Sequence, residues 1–115
     1  GEPDVDAVRA FLADDGARAF VATDHGAVVG VVTVRTVADL FHGGPSALVQ
    51  ELVIDAGSRG AGHGGALLDA AVDFARSRGC AEIGVSTGAD NTAARRLYES
   101  RGFEEEGVVL ELHLA

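Results

Sequence analysis

A glycine-rich segment with the sequence RGAGHGG lies between a strand-like run and a helix-like run at residues 59–65. A chain that passes from a strand through glycines into a helix makes a tight turn. The free N–H groups of such a turn can hold a phosphate group. The segment fits two different nucleotide-loop patterns. Gly60, Gly62 and Gly65 fit G-x-G-x-x-G, the dinucleotide fingerprint, whereas Arg59, Gly62 and Gly64 fit the second pattern, R-x-x-G-x-G. The rest of the chain has to decide between these two patterns.

The hydrophobic pattern ahead of this loop predicts one helix and three strands. Apolar residues at helical spacing indicate a helix from Asp4 to about Ala13. Between the first two strands stands His25-Gly26, which favours a hairpin because glycine readily adopts the positive φ of the turn. The predicted strands cover residues 17–24, 27–37 and 47–55.

Behind the loop, the pattern predicts a helix, a strand, a second helix and a last strand. Gly79 stands where a left-handed C-terminal cap of the first of these helices is expected. Asp90 or Asn91 is expected to cap the second helix, which runs through Tyr98 and ends at Gly102. The predicted elements cover residues 64–78, 81–87, 91–102 and 107–114. This order favours a single α+β domain over residues 1–115, with a mixed sheet that begins antiparallel.

Composition limits the classes of partner. The chain has 115 residues, a formal net charge of −9 and no Lys. An acidic surface repels phosphate backbones, so we expect no nucleic-acid partner. The charge would suit a cationic substrate such as an amine, but a role in keeping the protein in solution is the favoured interpretation. The apolar runs are too short for a membrane span, and the N-terminal residues do not resemble a secretory signal. With the single Cys80, these features predict a cytoplasmic protein without a membrane partner.

The dinucleotide interpretation of the loop meets several objections. Asp90 lies near the end of the strand after the loop, roughly where a dinucleotide-binding protein has its ribose-binding acid, and this favours the dinucleotide interpretation. However, an antiparallel hairpin precedes the loop, and a single further helix provides too few crossovers for the nucleotide crevice. The dinucleotide fingerprint also requires a tight turn from the strand to the first glycine, but here the five residues from Asp55 to Arg59 separate Ile54 from Gly60. A P-loop is excluded because its Lys is missing. A structural turn without a ligand remains an alternative.

A second motif changes this balance. Residues 91–103, NTAARRLYESRGF, follow N-x-x-A-x-x-L-Y-x-x-x-G-F. Together with LVIDAGSRGAGHGGALL at 52–68, this stretch resembles the GNAT superfamily of acetyl-CoA-dependent N-acetyltransferases. The resemblance implies an α+β fold (an α/β sandwich), the GNAT fold. Its twisted sheet is mixed and mostly antiparallel, with helices on both faces, and here it is expected to be truncated at the N-terminus.

The resemblance also implies acetyl-CoA as cosubstrate and no metal. The glycine loop would hold the coenzyme pyrophosphate at the start of the following helix. The residues expected there are Arg59, Gly60, Ala61, Gly62, His63, Gly64 and Gly65. The strand before the loop would pair with pantetheine through the backbones of Leu52, Val53 and Ile54. Asn91 matches a position that often contacts the coenzyme, with pure helix capping as the alternative.

Two residues are the catalytic candidates for direct attack of an amine on the acetyl thioester. Glu51 is the proposed base, since Val49 and Val53 are expected to flank it on its own face and desolvation would then raise its pKa. Its alternative is an exposed strand carboxylate. Tyr98, the only Tyr, matches the family tyrosine that protonates the coenzyme sulfur, with core packing as its alternative.

The acceptor is less defined by the sequence. A primary amine of a small molecule or peptide is expected, attracted by the loop with Asp39, Phe41 and His42 and by the acidic residues 104–106. For Arg95 and Arg96, a solvated helix face is favoured over a contact with the coenzyme 3′-phosphate. A homodimer would complete the acceptor pocket. The alternative function is a non-catalytic acyl-CoA-binding sensor or subunit.

Overall fold

The computed structural model of the chain describes residues 4–40, 43–88 and 90–114. The chain divides into two compact units, Gly1–Val85 and Ser86–Ala115, so the single domain over residues 1–115 stays a prediction. The first unit holds helices α1 (Val5–Ala13) and α2 (His63–Ser77), strands β1 (Ala17–Asp24), β2 (Ala27–Val37), β3 (Ser46–Ile54) and β4 (Glu82–Val85), and a short 3₁₀ helix at Ala56–Ser58. The second unit holds helix α3 (Thr92–Ser100).

The four strands form one open sheet in the order β1-β2-β3-β4. The β1–β2 and β2–β3 pairs are antiparallel, whereas β3 and β4 run parallel. His25 (φ 50°) and Gly26 (φ 80°) form the turn of the first hairpin, because both adopt the left-handed backbone that such turns need. This architecture confirms the α+β class with a mixed, mostly antiparallel sheet.

Helix α2 covers one face of the sheet and forms the core with it. Val32 and Val34 of β2 are fully buried, as is Leu68 of α2. Burial of one such side chain contributes about 1.5–3 kcal/mol to the free energy of folding. The apolar layer between α2 and the sheet therefore supplies much of the stabilisation of the first unit. The remaining core residues of these elements are Ala47, Val49, Leu67, Ala71, Phe74 and Ala75.

Phe74 anchors the C-terminal half of α2. Its ring meets Phe20 of β1 edge to face, with centroids 6.4 Å apart. The guanidinium carbons of Arg18 and Arg78 lie 5.3 and 5.2 Å from the centre of the same ring. Gly79 (φ 72°) ends the helix in the left-handed conformation expected of a C-terminal cap.

Helix α1 contacts β1 and is tied to β2 by Arg35. The Arg35 guanidinium forms an ion pair with Asp14 and lies 5.7 Å from the centre of the Phe11 ring. Arg35 follows the buried Val34 along β2 and therefore projects from the sheet face opposite α2. Helices accordingly contact the sheet from both faces.

The predicted strand at 107–114 is wrong. Residues 103–114 have no regular secondary structure, and the apolar side chains of Leu110, Leu112 and Leu114 are exposed. Alternating apolar residues indicate an extended backbone, but a strand also needs a neighbouring strand with which to form hydrogen bonds. The pattern is therefore present without a partner among the described residues.

Candidate functional site

One edge of β3 is open at its C-terminal end. The parallel pairing with β4 covers Ser46 to Val49 and stops there. From Gln50 to Ile54, the strand pairs with β2 alone among the described residues of the first unit. The backbone groups that point away from β2 in this stretch are therefore free to bind an extended ligand as an added strand would.

The direction of these backbone groups follows from one hydrogen bond. The Asp55 N–H donates to the Val29 carbonyl at 2.8 Å, which directs Asp55 towards β2. Successive residues of a strand point their N–H and C=O groups to alternate sides, so Val53 also faces β2. Leu52 and Ile54 then face the open edge. The expectation that Val53 supplies a backbone partner to a ligand there is corrected by this geometry.

A β-bulge changes the surroundings of Glu51. Thr33 lies opposite Glu51, but the next residue, Val34, lies opposite Val49, so β3 carries one extra residue at this point. Val49 consequently turns towards α2 and is buried, whereas Glu51 lies on the other face and is exposed. The expected flanking by Val49 is wrong, and the desolvation inferred from it is absent.

The glycine loop leads from this edge into α2. Gly60 (φ 83°) and Gly62 (φ 85°) adopt left-handed conformations, and Gly62 is the N-terminal cap residue of the helix. Side chains rarely tolerate this backbone, which accounts for glycine at both positions. Gly62 belongs to both glycine patterns, so these backbone angles do not decide between them.

The N-terminus of α2 presents a row of unused donors. Ala66 is the first residue whose N–H bonds within the helix, to the Gly62 carbonyl at 3.1 Å. The N–H groups of residues 62–65 have no acceptor in the helix, and no side chain caps them. With the positive end of the helix dipole behind them, these amides form a site suited to an anion. Arg59 and Ala61 are exposed beside it, and His63 is half-buried as the first helical residue.

The second unit contains the other candidate residues. The Asn91 side chain caps α3 by accepting from the Ala94 N–H at 3.2 Å, so its oxygen has a structural role. Tyr98 is buried, and its ring lies 5.7 Å from that of Phe103. Burial raises the pKa of the Tyr98 phenol above its ordinary value of 10.0.

Arg95 and Asp39, two of the charged residues considered for the coenzyme and the acceptor, have partners within the chain. Arg95 lies 3.8 Å from the carboxylate of Glu99 and 3.6 Å from that of Glu105. This pairing favours a structural role on the helix face over a phosphate contact. Asp39 accepts a hydrogen bond from the Ser46 hydroxyl at 2.8 Å. Phe41 and His42 lie outside the described residues.

Two classes of site have no counterpart in residues 4–40, 43–88 and 90–114. These residues contain no group of three or more His, Cys, Asp or Glu side chains arranged to hold a metal ion. None of the helices in these ranges combines the length and the apolar character needed to cross a membrane.

The sequence matches the model of the acetyltransferase (GNAT) family over residues 1–103. The chain belongs to the GNAT acetyltransferase family. Curated relatives agree, since N-acetyltransferase 8 of Rattus norvegicus is 31% identical over 102 residues, covering 89% of this chain and 46% of the relative. The human N-acetyltransferase 8 is also 31% identical, and the match covers 89% of this chain and 45% of the human protein. The chain thus spans about half the length of the curated relatives it matches.

Solved structures confirm the GNAT fold. A transcriptional regulator from Bacillus halodurans C-125 superposes with a TM-score of 0.89 at 28% identity, over 96% of this chain and 74% of that one. A putative acetyltransferase from Agrobacterium tumefaciens str. C58 superposes with a TM-score of 0.86 at 28% sequence identity, over 94% of this chain and 76% of that one. AAC(6')-Iy, in complex with the bisubstrate analogue CoA-S-monomethyl-acetylneamine, superposes with a TM-score of 0.86 at 23% sequence identity, over 100% of this chain and 83% of that one. At that identity the last likeness shows the fold alone.

Proposed function

We propose that this GNAT chain is an N-acetyltransferase that moves the acetyl group of acetyl-CoA to a primary amine of a small molecule or peptide. The observation that carries the proposal is the continuity of two features in the first unit. The open edge of β3 ends at Ile54, and the 3₁₀ helix at Ala56–Ser58 and the glycine loop connect it to the N-terminus of α2, which no side chain caps. A ligand with an extended amide-containing arm and a pyrophosphate has the chemistry to use both.

The coenzyme pyrophosphate is proposed to lie on the amides of residues 62–65, with Gly60 allowing close approach of the backbone and Ala61 contributing its amide. Arg59 adds a positive charge at the exposed side of the loop. Pantetheine is proposed to pair with the backbones of Leu52 and Ile54, the two residues that face the open edge. An amide of this edge then polarises the thioester carbonyl as the acyl carbon becomes tetrahedral.

A protonated amine loses two protons on becoming the amide nitrogen, one before attack and one from the tetrahedral intermediate, whereas the coenzyme sulfur gains one. An amine with a pKa near 10.4 is mostly protonated at neutral pH, so a base must remove a proton before the nitrogen attacks the acetyl carbon. We assign this step to Glu51, acting through water on the exposed face of β3. As the C–S bond breaks, the thiolate takes a proton from the Tyr98 phenol, and the second proton that leaves the nitrogen passes through water to restore the phenol. A phenol with the ordinary pKa of 10.0 is already protonated at neutral pH, and burial raises the pKa of Tyr98 further, so the proton is present for transfer.

Other features support the proposal less specifically. The net charge of −9 suits a cationic acceptor, and one structural neighbour is an aminoglycoside acetyltransferase from a soil metagenomic sample. Asn91 retains its amide N–H groups for the coenzyme while its oxygen caps α3. No step assigned here uses a metal. The cytoplasmic location and the homodimer stay predictions.

A second function is favoured by a different observation. The structural neighbour with a TM-score of 0.89 is described as a transcriptional regulator. A non-catalytic acyl-CoA sensor would use the same glycine loop and need neither Glu51 nor Tyr98.

Titration calorimetry with acetyl-CoA, and with NAD as control, tests the cosubstrate. We expect acetyl-CoA to bind and NAD to give no heat. A thiol-release assay over a panel of primary amines then tests the reaction. Release that depends on the amine supports the transferase, whereas binding without release to any amine supports the sensor.

A further inference from the structure

A buried glycine of β2 lies at the junction of the two elements assigned to the coenzyme. Gly30 is buried and pairs with Ile54, the last residue of β3. The next residue, Asp55, donates its N–H to the Val29 carbonyl at 2.8 Å. Residues 29 and 30 of β2 therefore hold the end of the open edge at the point where the chain leaves the sheet for the glycine loop.

Neighbouring groups fill the space that a side chain at position 30 would need. A Cβ on Gly30 would lie 2.6 Å from Cδ1 of Ile54 and 3.2 Å from Cδ1 of Leu67. It would also lie 3.2 Å from the Val53 carbonyl oxygen. Carbon atoms in favourable contact are about 3.5–4.0 Å apart, so a methyl group here would clash. Gly30 has no positive φ, and the packing above it therefore accounts for the glycine better than its backbone conformation does.

Leu67 connects this packing to the proposed anion site. It follows the free amides of residues 62–65 in the N-terminal part of α2 and is only 3% exposed. Its Cδ1 methyl and that of Ile54 both lie over Gly30. The start of α2 and the end of β3 are thus packed against one residue of the strand beside them.

We propose that Gly30 is a positioning residue for the coenzyme site, because its missing side chain lets Ile54 and Leu67 pack over β2 and so fixes the end of β3 relative to the start of α2. This inference rests on the proposed binding of acetyl-CoA by these two elements. A methyl group at position 30 would either displace the backbone at Val53 or turn the half-buried Ile54 side chain away from Leu67. In both cases the pyrophosphate and pantetheine sites would lose their relative position, on which binding depends.

The calorimetric affinity of the full chain for acetyl-CoA tests the proposal. Gly30→Ala is expected to weaken binding by about tenfold, because a well-packed interior tolerates an added methyl group poorly. Gly16→Ala is the matched control, since a Cβ there would lie 2.8 Å from the Thr36 hydroxyl oxygen at the other end of β2. This control crowds a neighbour far from the glycine loop, so its affinity should stay within about twofold of wild type.

The outcomes separate this inference from the proposed function. A wild-type protein that does not bind acetyl-CoA overturns both. A wild-type protein that binds, with Gly30→Ala of equal affinity, overturns the positioning role alone, as does equal weakening by Gly30→Ala and Gly16→Ala.

A double-variant comparison distinguishes positioning from a general loss of stability. Ile54→Val removes Cδ1, the atom nearest to the added methyl group, and serves as the reference. In the Ile54→Val background, Gly30→Ala should weaken acetyl-CoA binding by less than about threefold, because the two positions are coupled. A loss of about tenfold in both backgrounds contradicts the role of the Ile54 contact.

A variant of α2 leaves Gly30 in place and decides the case in which Gly30→Ala alone does not fold. Leu67→Val shortens the other side chain over Gly30 and is expected to weaken acetyl-CoA binding about threefold. Val34→Ala is the control, since Val34 is fully buried under α2 towards the far end of β2. It should destabilise the fold at least as much and leave the affinity close to wild type. If Val34→Ala weakens binding as much as Leu67→Val, the loss follows stability alone and the proposal is overturned.

Discussion

Val49 and Glu51 lie on opposite faces of the sheet although they are two residues apart in the same strand. The cause is the bulge in β3, which pairs Thr33 with Glu51 and Val34 with Val49. Val49 is buried under α2, and Glu51 is exposed on the other face. The bulge thus gives a core residue and a candidate base different environments within one short strand.

Glu51→Gln is expected to lower kcat/KM by about 100-fold, because a general base contributes at least that factor. Its acetyl-CoA affinity should stay unchanged, since the proposed coenzyme contacts near Glu51 are made by backbone groups. Initial rates measured across pH provide the check, and the ionisation of the base should disappear from the profile. Asp24→Asn, at the end of the first hairpin, is the control. A Glu51→Gln profile identical to wild type would assign the base elsewhere.

Tyr98→Phe is expected to lower kcat by about tenfold or more while acetyl-CoA affinity stays close to wild type. The substitution removes the proton donor and keeps the ring that contacts Phe103. Turnover and calorimetric affinity measured on the same preparation separate the two effects. Equal kcat for both proteins would leave Tyr98 as a core residue only.

Gly62→Ala is expected to weaken acetyl-CoA binding and to lower the free energy of unfolding by about 1–2 kcal/mol. The cost arises because Gly62 has a φ of 85°, in the left-handed region that a side chain disfavours. Gly57→Ala is the matched control, since Gly57 lies in the 3₁₀ helix just before the loop, with open space around it and no positive φ. Urea denaturation and calorimetry measure the two effects, and a control as damaging as Gly62→Ala would refute the backbone argument.

Asp14→Asn is expected to remove part of the acid sensitivity of the fold. The Gly16 N–H, at 2.8 Å from a carboxylate oxygen, and then Arg35 hold the pKa of Asp14 below its ordinary 3.8. A carboxyl with a lowered folded-state pKa stabilises the protein above its unfolded pKa, and this stability is lost as pH falls through the folded value. Urea unfolding between neutral pH and about pH 3 measures it. The Asp14→Asn curve should be flatter there than that of Asp24→Asn.

The sequence predicted those elements whose signals are local. The turn at His25-Gly26, the cap at Gly79 and the apolar face of α2 each depend on residues close together in the chain. The glycines of the loop were recognisable for the same reason, because positive φ restricts the choice of residue.

The features that sequence could not predict depend on strand pairing. No glycine or proline marks the bulge near Gln50, whose presence follows from how β2 and β3 align. The stop of the β3–β4 pairing at Val49 is likewise a property of two strands and not of one. Residues 107–114 show the converse case, in which the sequence has the alternation of a strand but the structure has no strand there.

The central claim is that main-chain donors at the start of α2 and on the edge of β3 bind acetyl-CoA. A titration of the ¹⁵N-labelled protein with acetyl-CoA, followed by amide chemical shifts, tests it residue by residue. The account predicts the largest shifts at the amides of Gly62, His63, Gly64 and Gly65, together with Leu52 and Ile54. Shifts that leave these amides unchanged and cluster elsewhere would contradict it.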